Sequence, residues 1–374
     1  MKRILIIGGG YAGTEVIRQL VLRGAKGIEV ELVSAGHYFE NTIAGTEVIS
    51  EKLRTEDLRY DLQLLSSYWG FGLTVDKVNE IDLDEKVVKL GNGERDYDVL
   101  VVASGSAPNF YDVKGTDLTL PSYRLSNFEL INRRLKQLSS GHPRVIIVGA
   151  GYVGLEVAAE VVDLFRSLGR KVKVTVIEKM GHVLPGFGNE VARRMALEAL
   201  SSRDVGFNLG KGIERIAEGK VVLQDGSELE SDLTVWSGGV RGSELALSTS
   251  GAGLQNGYID VDERLLVKGR QDAFAIGDVA HVKIGGSVAQ KMAGEALEQG
   301  MTVARNIMSI ISGQKPNIVH KINYPVDFPK VLLSLGEGKA LLIFGPHYAS
   351  LGGTEYFLKR RIDVEEMMGR FPTQ

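Results

Sequence analysis

Two short apolar runs, Ile4-Leu5-Ile6-Ile7 and Val145-Ile146-Ile147-Val148, each break off into glycines and give way to helical spacing. A four-residue apolar run bounded by glycine reads as a buried strand. After the first run a helical segment reaches Arg23, where Gly24 suits a left-handed helix stop. Residues 28–33 then alternate polar and apolar, as a half-buried strand does, and end at Ser34. The second run repeats this plan with a helix over residues 152–168, a stop at Gly169 and a strand over 172–177 that ends at Glu178. Farther along, Lys86-Val87-Val88 recurs as Lys220-Val221-Val222, and residues 98–105 recur as residues 232–239. The pattern predicts an α/β fold built from two Rossmann-like units. A third apolar strand over residues 273–276 ends in Gly277-Asp278, and residues 287–312 are compatible with one long helix. From about His320 short strands and a helical tail predict a small C-terminal α+β domain.

The glycines add chemistry to this pattern. The first run opens into Gly8-Gly9-Gly10-Tyr11-Ala12-Gly13 and the second into Gly149-Ala150-Gly151-Tyr152-Val153-Gly154. A lone GxGxxG is weak in a chain with 46 glycines among 374 residues, but two at strand–helix junctions point to two dinucleotide sites. Gly8 and Gly149 permit the tight turn, and Gly10 and Gly151 let backbone approach a pyrophosphate. Gly13 and Gly154 let helix and strand pack, so the diphosphate rests on a helix N-terminus.

Composition narrows the chemistry. The net charge of −3 leaves no electrostatic footprint for nucleic acid. The absence of cysteine excludes disulfides, thiolate metal ligands, iron–sulfur clusters and a redox-active dithiol. Six scattered histidines without HxxxH or HxH spacing give no expectation of a metal site. Met1-Lys2-Arg3 precedes an apolar run too short for a signal-peptide core. No stretch approaches the ~20 apolar residues of a membrane span, so the expected location is cytoplasmic, at most peripheral on the cytoplasmic face of a membrane.

With these motifs in place, the chain resembles the flavoproteins with two dinucleotide-binding domains, in which FAD occupies the first unit and NAD(P)H the second. The strand ending in Gly277-Asp278 and the segment Ala103-Ser104-Gly105-Ser106 carry that resemblance. Trp236-Ser237-Gly238-Gly239-Val240-Arg241, Lys291-Met292-Ala293 and Leu332-Leu333-Ser334-Leu335-Gly336 extend it toward type II NADH dehydrogenases and the ferroptosis-suppressor group of apoptosis-inducing-factor-like NAD(P)H:quinone oxidoreductases. The implied organisation is an FAD domain over residues 1–111 and 246–319, an NAD(P)H domain over 112–245, and a C-terminal domain over 320–374 that offers a membrane or dimer contact.

The resemblance assigns roles residue by residue. Asp278 would accept a hydrogen bond from a ribityl hydroxyl of FAD, and a helix beginning near residues 289–291 would direct its amides at the flavin N1–C2=O edge. Lys291 adds positive charge there. Ser34 stands where the family usually places an acid for the adenosine ribose, which implies a weaker neutral hydrogen bond; Glu31 has the opposite strand parity and does not substitute. Val78 matches the position whose backbone touches adenine. Glu178 holds the ribose-reading position for NADH, and a 2′-phosphate would meet like charge there. Lys179, Arg170 and Lys171 form a cationic rim that keeps NADPH as the lesser alternative. Gly239 and Gly277 complete the cofactor-binding glycines. Glu156, expected in the first turn of its helix, is assigned with Lys291 to catalysis, between nicotinamide and flavin.

Without cysteine, electrons leave the flavin directly. The expected acceptor is a quinone, giving an NADH:quinone oxidoreductase; the alternatives are a ferredoxin or rubredoxin reductase and an NADH oxidase. A non-enzymatic, apoptosis-inducing-factor-like signalling role is the weaker reading, since nothing in the charge favours DNA. The AQxAxQxG stretch that marks the quinone site of type II dehydrogenases survives here only as Ala293, Ala296 and Gly300, with Gly294 and Glu298 in place of the glutamines. In the tail, Phe357, Val364, Met368 and Phe371 would share one helical face flanked by Lys359, Arg360 and Arg361, a stripe fit for a membrane surface or a second subunit.

Overall fold

The computed structural model describes residues 1–139 and 141–372. Its centre is a pair of five-stranded parallel sheets with matching order. In the first, strands run Ala273–Ala275, Val99–Val102, Lys2–Ile7, Ile28–Ser34 and Gly72–Val75 across the sheet. In the second the order is Leu120–Pro121, Leu233–Trp236, Arg144–Val148, Lys173–Glu178 and Val205–Leu209. Each glycine-bounded apolar run is thus the middle strand of its sheet. Ile4 to Ile7 and Val145 to Ile147 are almost fully buried because both faces are covered, so the strands read as continuous apolar runs. In the second sheet Val145 and Ile147 pack with the fingerprint helix, while Ile146 and Val148 pack with the meander residues Ile216, Val221 and Leu223. The parallel order and the helix crossovers bear out the α/β class.

Each fingerprint helix leaves directly from its central strand, Tyr11–Leu22 in the first unit and Tyr152–Ser167 in the second. Gly24 (φ +61°) and Gly169 (φ +64°) follow as left-handed stops. A three-stranded antiparallel meander flanks each sheet, Val78–Asp82 to Glu94–Asp96 and Ile213–Ala217 to Glu228–Glu230. The units are joined by an antiparallel ladder in which Ser106 pairs with Gly242 and Pro108 with Val240.

The C-terminal strands Lys330–Gly336, Lys339–Phe344 and Tyr348–Gly352 form an antiparallel sheet. Its Val331, Leu333, Leu335, Leu341 and Ile343 share one apolar core with the second parallel sheet and the helix Tyr152–Ser167.

Two element boundaries differ from the sequence reading. The long helix spans Ala293–Ile311 rather than starting near residue 287. Ser287–Val288 instead pairs with Lys283–Ile284, and the Gln290 amide bonds the Tyr324 carbonyl at 2.9 Å. These strand-like tertiary bonds take the backbone groups a longer helix would need. The tail is also not one regular helix. Gly353–Arg360 is α-helical, but Arg361–Glu366 widens into a π-turn where the Asp363 carbonyl accepts from Asn41 Nδ2 at 2.6 Å. The expected apolar stripe is consequently split. Phe357 is exposed, Val364 joins the second core, and Met368 and Phe371 join the first.

Candidate functional site

The two fingerprints fold into matching cradles with the same division of labour among their glycines. Gly8 (φ +111°) and Gly149 (φ +98°) occupy backbone conformations closed to side chains, and an added Cβ would lie 2.3 Å from the Ala103 carbonyl oxygen and 2.4 Å from that of Ser237. A Cβ on Gly13 or Gly154 would lie 2.0 Å from the carbonyl oxygen of Gly8 or Gly149. Gly10 and Gly151 are different: nothing lies within 4 Å of either added Cβ, and each caps its helix without a side-chain bond. Open space in front of free helix amides is what a pyrophosphate needs, so both cradles fit a dinucleotide.

Around the first cradle, Ser34 is buried and its hydroxyl donates to the Gly36 carbonyl at 2.8 Å, while its side chain crowds Gly9. Glu31 is engaged elsewhere, accepting from Arg95 and Thr74. Val78 is half-buried at the first position of its strand and packs on the first core.

Asp278 follows the strand Ala273–Ala275 on a single turn, Gly277–Val279, with Gly277 at φ +71°. Its carboxylate accepts from the Ser106 hydroxyl at 2.9 Å. Burial pushes Asp278 up from the usual carboxylate range, with Lys291 and Ser106 restraining the rise. Burial also lowers Lys291, to about 8, while Asp278 pulls the other way. The Lys291 ammonium donates to the Ala280 carbonyl and sits 4.4 Å from the centre of the Tyr258 ring. Lys291 precedes the helix, whose first internal bond is Ala296 N to Met292 O at 3.0 Å; the amides of residues 293–295 are the open ones.

In the second unit Glu178 closes its strand, and its carboxylate spans the fingerprint loop, accepting from the Ala150 amide at 2.9 Å and the Met180 amide at 2.8 Å. The expected cationic rim shrinks to Lys179. Arg170 and Lys171 lie before the start of the same strand, roughly 20 Å away by strand rise. Arg170 is turned to the Leu138 carbonyl and the Phe165 ring. Gly239 adopts φ +107°, with the Tyr111 hydroxyl 3.2 Å from an added Cβ.

Glu156 sits in the second turn of its helix, not the first, five residues past the cap Gly151. It is buried and surrounded by three other segments. The Thr46 hydroxyl reaches Oε2 at 3.3 Å, the Ser334 amide reaches Oε1 at 2.9 Å, and Lys359 Nζ lies 3.2 Å from Oε1. Lys359 also pairs with Asp363 at 2.5 Å. Burial pushes Glu156 up to about 7, against the pull of Lys359 and the Ser334 amide. Lys359 is therefore no basic flank of an amphipathic stripe but a buried ion-pair partner. Burial works against its charge, yet Glu156 and Asp363 hold it above the ordinary ammonium range. Arg360 likewise faces Glu47 at 3.5 Å. Sequence reasoning missed Thr46 and Tyr258, which no spacing links to the fingerprints, and it missed the place of Lys359 beside Glu156. Ser106 and Ser334 had a signal, inside the Ala103–Ser106 and Leu332–Gly336 signatures.

Among the described residues, no helix is long and apolar enough to cross a membrane. The profile of the pyridine nucleotide-disulphide oxidoreductase family matches residues 2–305. The chain is 28% identical to a type II NADH:quinone oxidoreductase of Staphylococcus aureus, over 97% of this chain and 94% of that protein. It is also 28% identical to the same-named protein of Staphylococcus saprophyticus, over 84% of each. Among solved structures, NDH2 from Plasmodium falciparum aligns over 99% of both chains at 16% identity with a TM-score of 0.83. The sulfide:quinone oxidoreductase of Aquifex aeolicus aligns over 99% of this chain and 91% of that one, at 19% identity and a TM-score of 0.84. At those identities the structural likeness concerns the fold. With the family profile spanning most of its length, the chain belongs to the pyridine nucleotide-disulphide oxidoreductase family.

Proposed function

We propose that this chain is an FAD-dependent NADH:quinone oxidoreductase. The observation that carries the reading is the pair of matching cradles, each with its open middle glycine, in a chain without a single cysteine. FAD held in the first cradle would supply the redox chemistry that links hydride donation by NADH to two-electron reduction of a quinone. The named relatives favour the quinone as acceptor.

The protein's own residues bind and orient. Gly8, Gly10 and Gly13 with the helix Tyr11–Leu22 hold the FAD diphosphate, Ser34 and Val78 border the adenosine, and Asp278 accepts from the ribityl chain. Lys291 and the open amides of residues 293–295 would present positive charge to the flavin, favouring its reduced form. Gly149, Gly151 and Gly154 hold the NADH diphosphate, Glu178 reads its ribose, and Gly239 leaves room at the nicotinamide end. Glu156, with a pKa near neutrality, can hold or release a proton at its Oε atoms as quinone becomes quinol, which consumes two protons. The residues 1–111 with 246–319, 112–245 and 320–374 make up the FAD, NADH and C-terminal parts in this reading.

We further assign the protein to the cytoplasmic face of a membrane. Phe357, Leu358 and Ile362 form the outward apolar side of the tail with Arg361 beside them. The test is steady-state NADH oxidation by the purified yellow protein against soluble quinones, dioxygen and a ferredoxin. Quinones reduced much faster than air support the reading. A soluble iron–sulfur protein as the fastest acceptor, or turnover with dioxygen alone, replaces it with the reductase or oxidase.

A further inference from the structure

Tyr258 begins the strand Tyr258–Asp260 and touches both halves of the site. Its ring carries the Lys291 ammonium, 4.4 Å from the centroid, and its hydroxyl donates to the Val240 carbonyl at 3.0 Å. Val240 directly follows Gly239. The contact is rigid because Gly242 and Gly257 press their backbones together: a Cβ on Gly242 would fall 1.7 Å from the Gly257 carbonyl oxygen.

We propose that Tyr258 is the positioning residue for Lys291, its ring face holding the ammonium at the flavin side while its hydroxyl fixes that ring against the turn after Gly239. The inference rests on the flavin reading given above.

The charge balance explains why such a ring is needed. Burial disfavours the charged lysine, and of its charged neighbours only the Asp278 carboxylate attracts it. His281, on the strand Ala280–His281, adds nothing attractive. The Ala280 carbonyl accepts one proton of the ammonium. An aromatic face stabilises a partly desolvated ammonium through its quadrupole, so the ring favours the charged state that Lys291 needs at neutral pH. The hydroxyl does different work, holding the ring's angle.

The roles separate by substitution. In the FAD-loaded protein, competitive labelling of Lys291 with acetic anhydride, read by mass spectrometry across pH, gives the midpoint at which its amine becomes free. Tyr258→Leu is expected to lower this midpoint by about one pH unit, roughly a tenfold change in the protonation equilibrium. Tyr258→Phe is expected to leave it within a few tenths, yet to loosen the ring and slow NADH-dependent flavin bleaching. Should Tyr258→Leu fail to fold, fluorinated phenylalanines at position 258 keep the shape and weaken the quadrupole, and the midpoint should fall with each fluorine. An unchanged midpoint in Tyr258→Leu or across the fluorinated series overturns the proposal. FAD content, measured on the same samples, reports separately: protein that never holds FAD defeats the flavin reading, while the labelling midpoint still judges the Tyr258–Lys291 pair.

Discussion

Lys359, from the C-terminal helix, sets its ammonium 3.2 Å from the carboxylate of Glu156, on the helix that leaves the second fingerprint. Both side chains are almost fully buried, and residues about two hundred positions apart in sequence form one charge cluster with Asp363. Two acids and one base leave an excess negative charge when all are ionised. Burial is the main reason that Glu156 is raised, and the Asp363 carboxylate adds a smaller push in the same direction.

Removing the cation should be costly. Lys359→Met leaves two buried acids facing each other, and we expect a loss of about 3–5 kcal/mol at pH 8. The loss should shrink at pH 5, where the acids can protonate, and shrink again in the double variant Lys359→Met/Glu156→Gln. Urea unfolding at both pH values checks this; equal costs at both would contradict the cluster.

The same carboxyl gives a signed pH dependence. Its folded pKa of about 7 exceeds the ordinary carboxylate value, so the native state binds the extra proton. The associated stability is present below about pH 4.5 and is lost as pH rises through 7, on the order of 3 kcal/mol in all. Glu156→Gln should flatten the stability curve between pH 5 and 8, and should remove the inflection near pH 7 from NADH-to-quinone turnover. Curves of wild type and variant that run parallel would count against it.

The two open glycines should separate the two cofactors. Gly10→Ala places a methyl where nothing of the protein lies, so it should leave folding intact and weaken FAD retention. Gly151→Ala should keep the yellow colour and raise the KM for NADH. Gly8→Ala and Gly149→Ala, by contrast, strike carbonyl oxygens and a positive φ, and should cost stability before any ligand is added. Absorbance, thermal unfolding and KM on the four variants make the comparison.

Glu178 carries both specificity and local structure. The unmodified protein should prefer NADH over NADPH in kcat/KM, and Glu178→Gln should narrow that gap while keeping an acceptor in the loop. Glu178→Arg should narrow or reverse the gap but leave the Ala150 and Met180 amides without their acceptor, costing about 1–3 kcal/mol. Equal kcat/KM for the two nucleotides in the unmodified protein would refute the assignment.

The sequence by itself determined what depends on neighbours in the chain. Ile4 to Ile7 and Val145 to Val148 mark central strands because a strand covered on both faces must be apolar throughout, and the glycines that follow mark cradles because only glycine fits those φ values and contacts. The places of Glu178 and Asp278 were legible from the same pattern: Glu178 ends its strand, and Asp278 follows one on a short turn opened by Gly277. Only the tertiary structure decided the rest. Residues 287–292 carry helical spacing, yet the Gln290 amide donates to the Tyr324 carbonyl and the Val288 carbonyl accepts from the Val326 amide, which claims their backbone and delays the helix to Ala293. Lys359 belongs to a stretch with the periodicity of a surface helix, and nothing local reveals that Glu156 awaits it. Charge pairing in a desolvated interior depends on distance in space, and the tail's path to Glu156 is set by the packing of the C-terminal sheet on the second fingerprint helix.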